Sequence, residues 1–160
     1  MKLLSIDYIP GTEIEALGMV KGTVVQTKNV GRDFMAGMKT LVGGEIVGYT
    51  EMLNEARQIA VKRMVDEAKE LDADFLIILT AVEKAAINYG KPGEKWLDDI
   101  TVDEAKQYIE EGHFAPGSML PKVQAAVEFA ESKPRRQALI TLLEKARDGI
   151  LGKTGTRIHL

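Results

Sequence analysis

Six consecutive residues without a charge, FLIILT at Phe75–Thr80, constrain the fold of this chain more than any other segment. Their apolar side chains do not alternate with polar ones, as they would in a strand with one face in water. Such a run is typical of a strand buried on both faces, in a parallel sheet covered by helices. The preceding residues predict a long helix capped by Thr50, with one apolar face formed by Leu53, Ala56, Ala60, Met64, Ala68 and Leu71.

The chain after Leu71 continues to alternate strand and helix patterns. QALIT predicts a second buried strand and GTRIHL a terminal strand, while AVEKAAINYGKP predicts a loop or hairpin. Helices are expected in ITVDEAKQYIEEG, where Thr101 is a suitable cap, after the stretch GHFAPGSMLPK, and in LLEKARDGILG. This order indicates an α/β protein.

The first part of the chain is rich in Val, Thr and Gly. EALGMV and TVVQTKN predict two short strands, and a short helix should follow and end at the Gly43–Gly44 pair. Two strands are too few for an independently stable unit. We therefore predict one composite domain over residues 1–160, an α/β sandwich whose single mixed β-sheet contains both strands together with FLIILT, QALIT and GTRIHL.

Composition excludes several classes of protein. The chain has no cysteine, which rules out disulfides and thiolate metal sites and fits a reducing compartment. A net charge of −3 and scattered basic residues give no electrostatic track for nucleic acid. No apolar run approaches the roughly 20 residues of a membrane helix. We expect a cytoplasmic protein without nucleic-acid or membrane partners.

Lys122 is the residue whose setting most suggests chemistry. It lies near the first turn of a predicted helix and is framed by Pro116 and Pro121. A lysine there can hold a phosphate, because free backbone N–H groups at a helix start already favour anions. An ordinary surface lysine is the alternative, and spacing alone leaves both interpretations open.

Other suggestive residues have simpler interpretations. GKTG, Gly152–Gly155, lacks the upstream glycine of a phosphate-binding P-loop and predicts a turn. His113 and His159 show no metal-ligand spacing, so no metal site is expected. The acidic group Asp98, Asp99, Asp103 and Glu104 should stabilise a helix start, and Trp96 should be a packing residue.

The second half of the sequence resembles the C-terminal part of carbamate kinase, which has the amino-acid-kinase fold. The resemblance runs from Ala73 to Ile158 and is carried by ADFLIILTAVEKAAINYGKP, by LEKARDGILGKTGTRI and most specifically by GHFAPGSMLPKV. It implies that Lys122 corresponds to a lysine that meets nucleotide phosphates and the transferred phosphoryl group.

The first half resembles a different family. From about Glu13 to Asp72, NVGRDFMAG, VGG and the long helix are similar to the YbjQ family of small proteins without an assigned function. Both families place a long helix before a central strand, so ELDADFLIIL can serve as the junction. We interpret the chain as a chimera, engineered by fusing a YbjQ-like segment (1–72) to a carbamate-kinase-like segment (73–160).

The resemblance to carbamate kinase implies that the second half of the chain carries the nucleotide-binding side of the parent active site. The candidate nucleotide-binding residues are Thr80, Lys84, Tyr89, Met119 and Lys122, with Lys84 and Lys122 as catalytic remnants. Two departures argue against catalysis. The family usually has Thr-Asp-Val-Glu-Lys where this chain has TAVEK, so Ala81 replaces an acidic residue. The kinase half that supplies the glycine-rich phosphate loops and the carbamate pocket has no counterpart here.

Three functional hypotheses follow. The first is a fold-recombination protein without enzymatic activity and without a required cofactor. The second is a module that binds ATP or ADP weakly. The third is an assembly module, because the YbjQ resemblance implies a homo-oligomer and exposed strand edges can supply such contacts.

Overall fold

The computed structural model describes residues 15–24 and 47–160. The second range is built of helices and strands, as predicted, but four strands in succession followed by two helices interrupt the predicted alternation. The elements are α1 (Val47–Glu70), β1 (Phe75–Thr80), β2 (Ala86–Ile87), β3 (Lys95–Trp96), β4 (Asp99–Thr101), α2 (Val102–Glu110), α3 (Met119–Glu131), β5 (Gln137–Leu142), a 3-10 turn (Leu143–Lys145), α4 (Ala146–Ile150) and β6 (Thr156–His159).

The main sheet is mixed, as predicted, and has the strand order β1-β5-β6-β4. β1 and β5 are parallel, and their register runs from the pair Phe75–Gln137 to the pair Thr80–Leu142. β6 is antiparallel to β5 and parallel to β4. The strands predicted at FLIILT, QALIT and GTRIHL are therefore confirmed, and the fold is α/β.

β5 is the strand with helices on both faces. Ala138 and Ile140 belong to the core formed with α3, whose Phe129 is fully buried. Leu139 and Thr141 point to the other face, where α4 approaches so closely that a Cβ on Gly149 would lie 2.9 Å from Leu139 Cδ2. The apolar run of β5 reflects this double cover.

β1 differs from the prediction of burial on both faces. Leu76 and Ile78 are buried in the core, whereas Leu79 is 45% exposed. In the part of the chain that the structure describes, β1 is an edge strand, and α4 covers its neighbour β5 instead. Only one face of FLIILT is therefore buried along its whole length.

The hairpin and turns between the main elements follow their local sequence. β2 and β3 form a small antiparallel pair within the segment predicted as a loop or hairpin. Thr101 caps α2 in a reciprocal arrangement with Glu104, in which each backbone N–H donates to the other residue's side chain. The GKTG stretch is a turn, as predicted, with Gly155 at φ +89°.

α1 begins earlier than predicted, at Val47, so Thr50 lies inside the helix and is not its cap. The predicted apolar face is buried only in part. Of its residues, Ala68 lies in the core, whereas Leu53 and Leu71 at the two ends are exposed; Val65, outside the predicted face, is also in the core. At about 1.5 Å per residue the 24-residue helix is about 36 Å long, whereas six-residue β1 spans about 20 Å. α1 therefore extends well beyond the sheet.

α1 and α3 lie side by side and point in the same direction. Arg57 in the first half of α1 lies beside Gly117 at the start of α3. Further along, Lys69 forms an ion pair with Glu128 near the end of α3. Both helices lead into parallel strands, so both begin at the carboxyl edge of β1 and β5.

Residues 15–24 contain no strand, and the prediction for EALGMV, Glu15–Val20, is therefore wrong. Two of their hydrogen bonds are made with α1. Lys21 N donates to Glu67 Oε2 at 2.6 Å, and the Arg63 guanidinium donates to Thr23 O. Most of TVVQTKN, and the short helix predicted before Gly43–Gly44, lie outside the described residues. Within 15–24 and 47–160, no helix is both long enough and apolar enough to cross a bilayer.

Candidate functional site

An open cleft of about 870 Å³ lies at the carboxyl ends of β1 and β5. In α/β proteins this edge of a parallel pair is the usual place for a ligand, because the loops that follow the strands converge there. All five residues expected at a nucleotide site line this one cleft: Thr80, Lys84, Tyr89, Met119 and Lys122. The fold brings together side chains that are up to 42 positions apart in the sequence.

Two of these residues come from the first turn of α3. Met119 begins the helix and Lys122 follows Pro121, which is tolerated there because the first N–H groups of a helix have no partner within it. Ser118 precedes the helix without a side-chain cap bond, and the first turn contains no acidic residue. The start of α3 thus presents positive potential to the cleft.

Lys122 is held by its own helix. Its Nζ donates to Ser118 O at 3.2 Å, and no carboxylate among the described residues pairs with it. Burial lowers the pKa of Lys122 below its usual value, and the nearby positive charge of Arg57 lowers this pKa further. An anion bound beside Nζ would oppose both effects.

Lys84 differs from Lys122 because it already has a partner. Its ammonium group forms an ion pair with Asp98. The sequence had suggested that Asp98 helps to stabilise the start of α2. The structure instead pairs its carboxylate with Lys84. Asp99 pairs with His159 at 2.8 Å, which leaves Asp103 and Glu104 in the first turn of α2.

Tyr89 lies on the hairpin side of the cleft and is largely exposed. Its ring meets Trp96 edge to face, with the centroids 5.9 Å apart. Trp96 is itself 43% exposed, so this contact lies at the surface and not in the core, and it restrains the orientation of Tyr89.

The cleft also contains residues that the sequence analysis did not assign to a site. His113 and Phe114 come from the loop before α3, and Glu144 comes from the turn after β5. His113 Nε2 lies 2.9 Å from Glu111 Oε2. Their positions in the sequence could have identified them, because loops next to the carboxyl ends of two parallel strands lie at the same edge of the sheet.

A sequence profile described as "Putative heavy-metal-binding", that of the YbjQ family, matches residues 1–91. The chain is 58% identical over 77 residues to a UPF0145 protein of Clostridium novyi (strain NT), a match that covers 48% of this chain and 75% of that protein. It is also 53% identical over 88 residues to a UPF0145 protein of Helicobacter hepaticus, with 55% and 84% covered.

The residues that the structure describes do not fit the heavy-metal site that the profile's description implies. Soft heavy metals prefer thiolate ligands, and the chain has no cysteine. The described residues also contain no cluster of three or more His, Asp or Glu side chains that could hold an ion. His113 and His159 each lie next to a single carboxylate, Glu111 and Asp99 respectively.

A second profile, that of the amino acid kinase family, matches residues 65–141. The chain is 64% identical over 91 residues to the carbamate kinase-like protein YqeA of Escherichia coli (strain K12), covering 57% of this chain and 29% of that protein. The solved carbamate kinase from Giardia lamblia bound to AMP-PNP superposes with a TM-score of 0.60 at 44% identity, covering 62% of this chain and 31% of that one. The chain thus spans about a third of the kinases it matches.

The two profiles overlap over residues 65–91. This overlap contains the last turns of α1, all of β1 and the TAVEK segment. The end of the helix and the strand at the junction therefore match the profiles of both families. The chain therefore belongs to the YbjQ family, whose profile matches residues 1–91, and this part is fused to a segment that is similar to carbamate kinases.

Proposed function

We propose that this fusion protein binds ADP or ATP weakly in the cleft at the carboxyl ends of β1 and β5, and that it does not transfer a phosphoryl group. The observation that carries the proposal is the convergence of Thr80, Lys84, Tyr89, Met119 and Lys122 on that cleft. The Giardia relative, which is similar to this part of the chain, was solved with the nucleotide analogue AMP-PNP.

The chemistry of the cleft suits a nucleotide in two ways. The exposed ring of Tyr89 offers a stacking surface for a base. At the α3 side, Lys122 offers an ammonium group without a carboxylate partner among the described residues, to which a phosphate oxygen can bind. Met119 and Phe114 add apolar side chains to the lining of the cleft.

Binding should nevertheless be weak. Lys84 must share its charge with Asp98, and the chain spans only about a third of the carbamate kinases that it matches. A dissociation constant in the millimolar range, about 4 kcal/mol of binding free energy, is the scale that we expect.

Phosphoryl transfer is not expected, because it depends on holding both reactants in line and neutralising the charge that moves between them. Ala81 stands where the resemblance implies an acidic site residue. We expect that the protein requires no cofactor. The expected result of a coupled assay with carbamoyl phosphate and ADP is no formation of ATP, and turnover that Lys122→Ala abolishes would overturn this part of the proposal.

A titration with ADP tests the binding itself. Backbone amide signals near Tyr89 and Met119 should shift between about 1 and 10 mM ADP, as a millimolar dissociation constant requires. Lys122→Ala should weaken the binding. Lys106→Ala should not, because Lys106 on α2 forms an ion pair with Glu131 on α3 and does not line the cleft. Absence of any shift at 10 mM ADP in the unmodified protein would refute nucleotide binding.

Assembly into a homo-oligomer is a second candidate, favoured by exposed apolar side chains in the YbjQ-like part. Leu17 and Met19 are exposed, as is Leu53 on the overhanging half of α1. We propose that these side chains belong to one contact surface, since large exposed apolar patches are typical of such surfaces. Light scattering at two protein concentrations should show a mass above that of one chain, and a monomeric mass at both would contradict the candidate. Cytoplasmic localisation and engineered origin stay predictions from the sequence.

A further inference from the structure

We propose that Arg57, a residue of the YbjQ-like helix α1, contributes a second cation to the phosphate side of the cleft, so that the two parental segments jointly form an anion-binding site. The inference rests on the proposed nucleotide binding for its ligand class, polyphosphate. It concerns a residue within the part that the YbjQ profile matches and outside residues 65–141, which the amino acid kinase profile matches.

The position of Arg57 follows from the length of α1. About the first eleven residues of the helix, the last of which is Arg57, extend past the carboxyl edge of β1, where the cleft opens. This overhanging half lies beside the loop that leads into α3. A Cβ on Gly117 would lie 3.4 Å from Asn54 Oδ1 and 3.7 Å from Arg57 Nη1.

The guanidinium group of Arg57 is oriented but not neutralised. Arg57 Nη1 donates to Asn54 Oδ1 at 3.0 Å, and Asn54 is uncharged. No carboxylate among the described residues forms an ion pair with Arg57 or with Lys122, the cation on the α3 side of the same loop. Arg57 is also close enough to contribute to the lowered pKa of Lys122.

Two neighbouring cations without carboxylate partners repel each other, and a multivalent anion between them would turn this repulsion into attraction. A guanidinium group suits this role because it presents paired N–H donors to phosphate oxygens. Glu144 lies on the β5 side of the cleft and is the acidic group that lines it. The anion is therefore expected on the α3 side, next to Gly117.

The experiment compares three ligands and three variants of the full chain. Adenosine, ADP and tripolyphosphate are titrated while the amide signals of Gly117 and Ser118 are followed. Arg57→Gln removes the charge, and Arg57→Lys keeps it. Lys62→Gln is the matched control, because Lys62 is an exposed cation on the same helix that pairs with Glu128, away from the cleft.

Arg57→Gln should weaken the binding of ADP and tripolyphosphate about fivefold, which corresponds to about 1 kcal/mol, the upper end for an exposed ion pair. Arg57→Lys should recover part of this loss, and adenosine should bind equally well to all variants. Added salt should reduce the difference, because exposed charges are screened.

Each outcome separates this inference from the proposed function. If ADP binds but Arg57→Gln leaves its dissociation constant within a factor of two, Arg57 has no role, although nucleotide binding stands. If ADP does not bind but tripolyphosphate does so with the expected dependence on Arg57, the anion site stands without the nucleotide function. If neither ligand binds at 10 mM, both proposals are wrong.

Discussion

Lys69 Nζ lies 2.7 Å from Glu128 Oε1 and so connects the YbjQ-like helix α1 to the carbamate-kinase-like helix α3. Lys62 approaches the same carboxylate at 3.5 Å. Asp72, just after α1, forms ion pairs with Lys133 and with the buried Arg136 beyond α3. These contacts join residues of the two parental segments toward the C-terminal ends of α1 and α3.

Glu128→Gln should destabilise the protein by about 0.5–1 kcal/mol at pH 7, because both side chains of the pair are partly exposed. Burial raises the pKa of Glu128, but Lys69 and Lys62 outweigh burial and hold it below its usual value. A lowered pKa in the folded state stabilises the protein above the ordinary value of 4.5, and this contribution is lost as the pH falls through the lower folded pKa.

Urea unfolding of both proteins at pH 7 and pH 3 checks this prediction, and the difference between them should shrink in acid. Glu110→Gln is the control, since Glu110 is an exposed carboxylate without an ion pair in the described residues. A difference for Glu128→Gln that is equally large at both pH values would argue against the ion pair as its cause.

Ile78→Asp should unfold both parental segments together. Ile78 is 7% exposed in β1, so an aspartate there would bury an unpaired charge at a cost of several kcal/mol. Leu79→Asp, at the exposed neighbouring position, is the matched control and should cost much less. In hydrogen exchange, protection of α1 should be lost along with that of β5. If residues 51–71 stay protected in Ile78→Asp, the composite domain that we propose over residues 1–160 is wrong.

Thr156 and Thr141 should respond in opposite ways to replacement by valine. Both are fully buried. Thr156 Oγ1 accepts from Ala85 N at 2.8 Å and donates to Leu97 O at 2.6 Å. Thr156→Val removes the hydrogen-bond partner of both backbone groups and should lower the free energy of unfolding by about 2–4 kcal/mol.

Thr141 Oγ1, by contrast, has no hydrogen-bond partner among the described residues. Thr141→Val should therefore be neutral or stabilise the fold by up to about 1 kcal/mol, since it removes an unsatisfied buried hydroxyl. Thermal unfolding of the two single variants provides the comparison. Equal destabilisation by both would contradict the assigned hydrogen bonds.

Gly155→Ala should destabilise the protein more than Gly90→Ala. Both glycines have positive φ, so each substitution carries the same kind of backbone cost of about 1 kcal/mol. A Cβ on Gly155 would also lie 2.7 Å from Leu139 Cδ1 and 3.1 Å from Ile140 O, whereas a Cβ on Gly90 would have nothing within 4 Å. We expect an additional loss of about 1–3 kcal/mol for Gly155→Ala. Equal denaturation midpoints would refute close packing of this turn on β5.

Local sequence predicted those elements whose signals are local. β1 and β5 coincide with apolar runs, and α2 begins after Thr101, because a hydroxyl followed three residues later by Glu104 forms a capping box in the helix itself. For the site, the resemblance to carbamate kinase supplied five residues that the fold brings to one cleft. Composition and spacing alone had left Lys122 open between a phosphate ligand and an ordinary surface lysine.

The sequence by itself thus determined β1, β5, β6 and the helices between them, and which two families the two halves resemble. Only the tertiary structure decided that Leu79 faces outward, that residues 15–24 lie against α1 without forming a strand, that Asp98 pairs with Lys84 and that Arg57 lies beside Gly117. The physical reason is the distance in sequence over which each kind of interaction acts. Periodicity and capping act within a few residues, whereas exposure and charge pairing depend on neighbours distant in sequence, whose positions follow from strand order and from a helix longer than the strand it precedes.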